Sequence, residues 1–300
     1  FIVELTLLEH EDVTQCILCG SDDISTDAKF RKLLALEDPF DVQRCRQCGL
    51  GWLSPRPTQE AFGKFYAYES YFEGQDAVES YSDVARERAN HFRKRLEKIA
   101  QLAPGGVNAR LLDIGSATGE FVYEAVQLGF AAEGMEISEG ARRQAKSRYG
   151  IDLLEGPLIS LKSGPGYDVI HMNHVLEHLQ NPLETLELCN SMLNPGGLLV
   201  IEVPQQFEND VERLKYFFRL SKPVFNKYSL HHLYYFTPAT LSALLERSGY
   251  RLLRISTENP DRTPLKPFSM KNLLLRYFLK LADRIHGGGN IIEVYGRKPG

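Results

Sequence analysis

The chain predicts an α/β fold, a largely parallel sheet with helices on both faces, preceded by a small metal-stapled module. Three observations carry that expectation. Strand-length apolar runs alternate with amphipathic helix-length segments from residue 110 onward, the pattern of parallel strands covered on both sides. The run Leu111-Leu-Asp-Ile-Gly115-Ser-Ala-Thr-Gly119-Glu-Phe121 joins the first such strand to the first such helix through a glycine-rich turn. Upstream, Cys16-x-x-Cys19 and Cys45-x-x-Cys48 repeat one tight spacing, and five cysteines in 300 residues do not make a disulfide scaffold.

Composition narrows the class. With 43% hydrophobic and 25% charged residues the chain is ordinary for a globular protein, and its length accommodates a large core plus a small second module. A net charge of −4 gives no overall attraction to nucleic acid. No apolar run approaches the roughly 20 residues of a membrane span. Residues 1–13 carry Glu4, Glu9, Glu11 and Asp12 and no basic stretch, unlike a secretory signal. The expected location is therefore cytoplasmic, where paired cysteines hold metal more often than they form disulfides.

Residues 1–57 read as a zinc-binding, zinc-ribbon-like module. Each Cys-x-x-Cys pair aims two sulfurs at one ion, and Gly20 and Gly49 supply the permissive turn after each pair. Cys16, Cys19, Cys45 and Cys48 are thus the expected ligands of a structural Zn2+, which substitutes for the core that so short a segment can scarcely build. A lone redox Cys-x-x-Cys would open a helix, whereas these two pairs match each other. Pro55 and Pro57 close the module. Residues 58–104 follow as an aromatic flap, with Tyr66, Tyr68 and Tyr71, and a linking helix at 85–102 stopped by Pro104-Gly105-Gly106. The flap reads equally as packing of module on core or as a cover over a ligand.

Residues 105–300 form the cofactor-binding domain. Strands at 110–114, 131–136, 167–172 and 198–203 alternate with helices at 121–128, 138–149, 183–193 and 238–248, and 291–297 is a closing strand. Cys189, in a helical apolar pattern, reads as a small buried hydrophobe. Ligands on such sheets bind beyond the carboxyl ends of the strands, near the switch point. The turn at 115–119 lacks the G-x-G-x-x-G of dinucleotide sites and the lysine of a P-loop. Instead Asp113 precedes it, and Glu136 ends the next strand, where a carboxylate can accept the hydroxyl protons of a ribose.

These residues resemble the class I S-adenosylmethionine-dependent methyltransferases. Leu-Leu-Asp113-Ile-Gly115-Ser-Ala-Thr-Gly119 is similar to their first motif and Gly134-Met-Glu136-Ile-Ser138 to their ribose-binding strand end. Tyr167-Asp-Val-Ile-His-Met-Asn173-His174-Val-Leu-Glu177-His178 is similar to their fourth-strand motif, and Leu193-Asn-Pro195-Gly196-Gly197 to the entry of their fifth strand. The resemblance implies a Rossmann-like seven-stranded sheet and S-adenosylmethionine as cofactor. It implies that Asp113, Gly115, Ser116, Ala117 and Gly119 form the turn along the methionine part. Glu136 and Ile137 would hold ribose and adenine, with Asn173 and the backbone near 156–158 completing the pocket. Ala117 stands where the family has its middle glycine, and a negative φ there is the condition for tolerating its methyl group. Residues 16–72 are also similar to the N-terminal part of methyltransferases of sugar and polysaccharide biosynthesis, which carry such a cysteine module.

Methyl transfer to a hydroxyl, amine or carbon needs a base titrating near the working pH, which favours histidine. His174, just past the fourth strand, His178 and His231 are the candidate bases, while His171 alternates into the strand and reads as core. His174-Val-Leu-Glu177-His178 also matches H-x-x-E-H, but that metalloprotease pattern needs one continuous helix and here straddles a strand end. The motif also resembles the more carboxylate-rich divalent-ion site proposed for ubiquinone-pathway O-methyltransferases; His174 in place of a carboxylate makes a hard Mg2+ site less favourable, and capping or packing is the plain reading of Glu177 and His178. The resemblance places residues 204–236 as a substrate lid, where Lys215, Arg219, Lys222 and Lys227 either meet a diphosphate or lie on a solvated face. Residues 268–285 read as a basic amphipathic helix packed on the core. The expected function is methyl transfer from S-adenosylmethionine to a small-molecule substrate, foremost a nucleotide-linked or glycan sugar. The alternatives are an O- or N-methyltransferase of another natural product, or a zinc-ribbon RNA-binding protein with a relic cofactor fold. Nucleic acid and membrane are not expected partners, and the sequence leaves the oligomeric state open.

Overall fold

Strands β1 (His10–Glu11), β2 (Ile24–Thr26), β3 (Asp41–Cys45), β4 (Gly51–Ser54) and β5 (Arg56–Pro57), with helix α1 (Ala28–Leu33), build the N-terminal module in the computed structural model. The structure describes residues 9–34, 36, 38–61, 81–156, 158–161, 166–205, 232–258 and 289–300. The aromatic segment at 62–72, residues 206–231 of the expected lid with His231, and the stretch at 268–285 lie outside the described residues.

Helix α2 (Tyr81–Leu102) leads into the main sheet, built from β6 (Arg110–Ile114), β7 (Ala131–Glu136), β8 (Leu154–Glu155), β9 (Tyr167–Asn173), β10 (Leu193–Pro204), β12 (Arg251–Glu258) and β13 (Ile291–Arg297). Between β10 and β12 lies the two-residue strand β11 (Tyr234–Tyr235). The seven strands lie in the order β12-β13-β10-β9-β6-β7-β8. Pairing is parallel from β10 through β8 and antiparallel where β13 enters between β10 and β12. The expected seven-stranded, mostly parallel sheet is what the chain forms. Strand order reverses between β6 and β9, so the crevice beyond their carboxyl ends is the switch point where such sheets bind ligands.

Alternation along β6 assigns its two faces. Leu111 joins Val169, Leu198 and Val200 beneath Phe92, Leu96 and Ile99 of α2 and Phe121 of α3 (Glu120–Gln127). Leu112 and Ile114 face the other way, with Met135, Ile170 and Ile201. Helix ends follow local chemistry. Ser138 caps α4 (Glu139–Tyr149) through its contact with the Ala141 N–H, and Gly150 ends that helix in the left-handed region. Asn181 caps α5 (Pro182–Met192), and Thr237 with Thr240 forms a capping box at α6 (Pro238–Arg247). Both helices carry proline in the first turn, where its missing N–H costs nothing.

The module is not an appendage. Its sheet runs β11-β4-β3-β2, so the edge strand comes from the last residues of the expected lid, 204–236. Trp52 pairs with Tyr234 and Gly51 with Tyr235. Phe40, Trp52, Tyr235 and Leu18 belong to the same continuous cluster as Leu112 and Ile201 of the main sheet. Among the described residues no helix is long and apolar enough to cross a membrane.

Candidate functional site

Gly115 and Gly119, at φ 71° and 77°, bend β6 into α3. The N–H groups of Gly115 and Ser116 both donate to the Met135 carbonyl, at 2.9 and 3.0 Å, which ties the turn to β7. A Cβ on Gly115 would stand 2.5 Å from Val175 Cγ2, and one on Gly119 2.9 Å from Ala145 Cβ, so close packing as well as backbone angle requires glycine. Helix α3 has no side-chain cap, which leaves its leading N–H groups open toward the turn.

Glu136 points into this turn. Its Oε2 accepts the Ala117 N–H at 2.9 Å and its Oε1 the Ser138 N–H at 2.8 Å, with 7% of the residue exposed. Each oxygen keeps a further lone pair for a ribose hydroxyl. Burial pushes this carboxyl above the usual range, against the pull of the Ser138 and Ala117 N–H groups. Ile137, the next residue, is 42% exposed, an apolar side chain left on the crevice rim. A carboxylate with spare lone pairs beside an open apolar residue fits adenosine. Asp113 and Ser116 turn inward: the Ser116 hydroxyl donates to the Asp113 carbonyl at 2.8 Å, and Asp113 Oδ1 lies 2.7 Å from His171 Nδ1.

Ala117 overturns one expectation. Its φ is +47°, not negative, so a residue with a Cβ occupies the conformation for which the family's glycine is suited. The left-handed region costs an L-residue about 1–2 kcal/mol, partly offset by the greater backbone entropy that glycine loses. Ala117→Gly should therefore stabilise the protein by about 0.5 kcal/mol, raising Tm by roughly 1–2 °C in a thermal melt. An unchanged or lower Tm contradicts this account of Ala117.

At the carboxyl ends of β9 and β10 lies a chain of polar side chains that the sequence did not reveal. Arg95, from α2 and 1% exposed, sends Nε to Glu293 Oε2 at 2.9 Å and Nη1 to Asn173 Oδ1 at 3.1 Å. Its Nη2 meets Glu202, and its Nη1 lies 3.4 Å from His171 Nε2. His171, read from sequence as core, is fully buried, but it links Asp113 to Arg95 and stacks on Phe121 at 3.8 Å. Burial holds its imidazole below the ordinary histidine range, opposing the Asp113 contact, so it is a neutral ring donating from Nδ1. Burial raises the Glu293 carboxyl, but Arg95 and Lys98 outweigh it and hold it below the usual range.

His174 continues the chain at φ +55°, its N–H donating to the Glu202 carbonyl at 2.9 Å. Its Nδ1 lies 3.3 Å from Glu177 Oε1 and its Nε2 3.3 Å from Glu202 Oε1. A bulky residue in that backbone region marks stored strain of the kind found at working sites. His178 Nε2 lies 3.8 Å from the same Glu177 oxygen, and its ring meets that of His232 edge-on at 4.9 Å. Burial alone would raise the Glu177 carboxyl, yet the His174 hydrogen bond and the charges of His178, His174 and His232 pull it to about 2. Of the expected bases, His174 and His178 come together around Glu177. His232, adjacent to the expected His231, completes the group, and only its position in the His-His pair pointed to it.

The four cysteines gather as expected. Cys16 Sγ lies 3.4 Å from Cys48 Sγ and Cys19 Sγ 3.5 Å from Cys45 Sγ, with all four sulfurs within 4.8 Å of one another. Around one ion at Zn–S bonds of about 2.3 Å, tetrahedral sulfurs stand about 3.8 Å apart, so the set fits Zn2+. The tight turns form as the sequence predicted: Gly20 N–H donates to the Cys16 carbonyl at 2.7 Å and Gly49 N–H to that of Cys45 at 3.0 Å.

Comparison with known proteins accords with this geometry. A family model described as a methyltransferase domain matches residues 81–255, more than half of the chain. The chain is 27% identical over 172 residues to a ubiquinone biosynthesis O-methyltransferase of Caulobacter sp. (strain K31), covering 55% of this chain and 62% of that one. It is 26% identical over 176 residues to the protein of the same name in Xanthomonas axonopodis pv. citri (strain 306), covering 54% and 70%. The chain thus matches less than two thirds of the Caulobacter protein's length. A solved S-adenosylmethionine-dependent methyltransferase from Archaeoglobus fulgidus aligns with TM-score 0.49 at 20% identity, covering 73% of this chain and 100% of that one.

Proposed function

The chain belongs to the methyltransferase-domain family, and from that premise we propose that it transfers a methyl group from S-adenosylmethionine to a hydroxyl group of a small molecule. The observation that carries the cofactor half is the Glu136 carboxylate turned onto the Ala117 N–H at the switch point, beside exposed Ile137. The relatives named above are O-methyltransferases of ubiquinone biosynthesis, which supports a hydroxyl acceptor of that natural-product kind over a nucleotide-linked or glycan sugar.

S-adenosylmethionine, when bound, supplies a methyl group activated on a sulfonium. The chain's own residues do the rest. Glu136 would accept hydrogen bonds from the ribose hydroxyls, Ile137 would pack against the adenine, and the turn from Gly115 to Gly119 would line the methionine part. His174 takes the acceptor proton. It is the more open of the two described base candidates, with 37% of its side chain exposed against 18% for His178. Glu177 on Nδ1 stabilises the imidazolium formed when Nε2 gains that proton, and the Glu202 carboxylate, 3.3 Å from Nε2, favours the same charged form.

Two measurements test this. Calorimetry with S-adenosylhomocysteine should give binding to the wild type that weakens by about 100-fold in Glu136→Ala, since each charge-assisted hydrogen bond contributes about 1.5–3 kcal/mol. Affinity should also decline on acidification while the solution is still above the pH at which a free glutamate titrates, because the Glu136 carboxyl is raised. Equal affinity in Glu136→Ala would refute the cofactor site. A panel of small phenols and nucleotide sugars then finds the acceptor. His174→Asn should lower turnover by about 100-fold with S-adenosylhomocysteine affinity unchanged, and full turnover in that variant removes His174 as the base.

A further inference from the structure

Arg142 of α4 turns its guanidinium back over the start of its own helix. Its Nη1 donates to the Glu136 carbonyl at 2.9 Å and to the Ile137 carbonyl at 2.8 Å. Its Nη2 lies 3.3 Å from Glu155 Oε1 on β8. Helical side chains lean toward the N-terminus, so a long one near the start of a helix reaches the residues before the cap. The Arg142 N–H meanwhile donates to the Ser138 carbonyl at 3.1 Å, within the first turn. The Arg142 side chain is 15% exposed. By contrast, the Arg143–Glu139 and Lys146–Asp152 pairs on the same helix are more than half exposed at both ends and contribute little.

Glu136, Ile137 and the backbone that follows Glu155 are the segments expected around adenosine, and this side chain joins all of them. Glu136 stands opposite Glu155 in register across β7 and β8, so the guanidinium bridges the two strand ends. Its bonds to Glu136 and Ile137 go to main-chain carbonyls. They fix the backbone from which the Glu136 carboxylate is aimed and leave the spare lone pairs of that carboxylate to the ribose. We propose that Arg142 is a positioning residue of the adenosine subsite, holding the Glu136–Ile137 main chain so that carboxylate and apolar side chain meet ribose and adenine together. The proposal rests on the cofactor reading above. A strand end already fixed loses little freedom when the ligand enters, whereas without the guanidinium it must be ordered at the moment of binding. Lysine keeps the charge but presents a point ammonium on a shorter stem in place of the planar fork.

The test is calorimetry of the full chain with S-adenosylhomocysteine and, in parallel, with methylthioadenosine, which carries the nucleoside without the amino-acid part. Arg142→Met keeps helix propensity and most of the stem. It should bind both ligands about 10-fold more weakly, by the same factor for each, and melt within about 2 °C of the wild type. Arg142→Lys should fall between, about threefold weaker. In a Glu136→Ala background, Arg142→Met should cost less than about threefold, because the carboxylate that it aims is gone. Looser helix packing alone would instead lower Tm and weaken binding equally in both backgrounds. Affinity in Arg142→Met within about twofold of the wild type, or the full loss of about 10-fold persisting beside Glu136→Ala, overturns the proposal. Should Arg142→Met not fold, wild-type affinity in Arg142→Lys overturns it. A wild type that binds neither ligand refutes the cofactor reading and this proposal with it, whereas tight wild-type binding left unchanged in the Arg142 variants refutes the proposal alone.

Discussion

Arg95→Met should destabilise the protein by about 3–5 kcal/mol, lowering Tm on the order of 10 °C. Methionine fills the volume of the side chain but leaves Glu202 and Glu293, 2% and 1% exposed, without the guanidinium that lies between them. Breaking a buried pair costs more than the pair contributes, because the orphaned charge remains desolvated. The pH dependence has a defined sign. Glu293 is held below its ordinary value of 4.5, so its contribution is full above that pH and fades as pH falls further. The deficit of the variant is therefore largest at neutral pH and shrinks in acid. Adding Glu202→Gln to Arg95→Met should recover part of the loss, since it removes one stranded charge. Denaturant melts of the wild type, both single variants and the double variant read this directly. A loss under about 1 kcal/mol at neutral pH would show that water reaches these carboxylates.

Arg95 also marks where sequence reasoning ends. The pattern of apolar positions gave the helix at 85–102, observed as Tyr81–Leu102, and the strands at 110–114, 131–136 and 291–297 with their observed limits. Those elements are legible because burial on one face or on both writes a period into the local sequence. Arg95 stands among Arg93, Lys94 and Lys98, where a charged side chain reads as a solvated face. Its burial depends on Glu202 and Glu293, which lie 107 and 198 residues away. No local signal carries that.

The site divides in the same way. Glu136 and the 115–119 turn were legible because cofactor chemistry demands a carboxylate and glycines at fixed offsets from strand ends. The φ of Ala117 was not, since a methyl group at a glycine position is silent about the backbone beneath it. His171 was read as core and is buried, yet its partner Asp113 sits on the neighbouring strand in direct register. Only the strand order shows that pair. The two-residue strand Tyr234–Tyr235 is too short to display a period, although it decides what the cysteine module touches.

That contact sets the largest expected effect. Removing zinc with a chelator, or replacing Cys45 by serine, should unfold the module and loosen the segments that carry Glu177, His178 and His232. Structural zinc in small cysteine modules is worth about 10–16 kcal/mol of apparent binding free energy, more than so small a unit recovers from packing. The transmission is a series of hydrogen bonds. Leu53 N–H donates to the Leu233 carbonyl at 3.0 Å, and Leu233 N–H donates to that of Glu177 at 2.8 Å. Arg56 Nη1 reaches the Gln180 carbonyl at 2.9 Å and the Tyr234 hydroxyl at 2.7 Å, while Gln180 Nε2 donates to the Pro57 carbonyl at 2.7 Å. Hydrogen exchange should therefore lose protection through 16–57 and also through 176–180 and 232–236. Trp52, 1% exposed, should shift its emission to the red. The turn at Gly115 and the Glu136 carboxylate hang on the main sheet, so S-adenosylhomocysteine should still bind within about threefold. Protection confined to the main sheet, with cofactor affinity kept, is the expected pattern. Intact protection at 232–236 after chelation would mean that the module and the histidine cluster are independent.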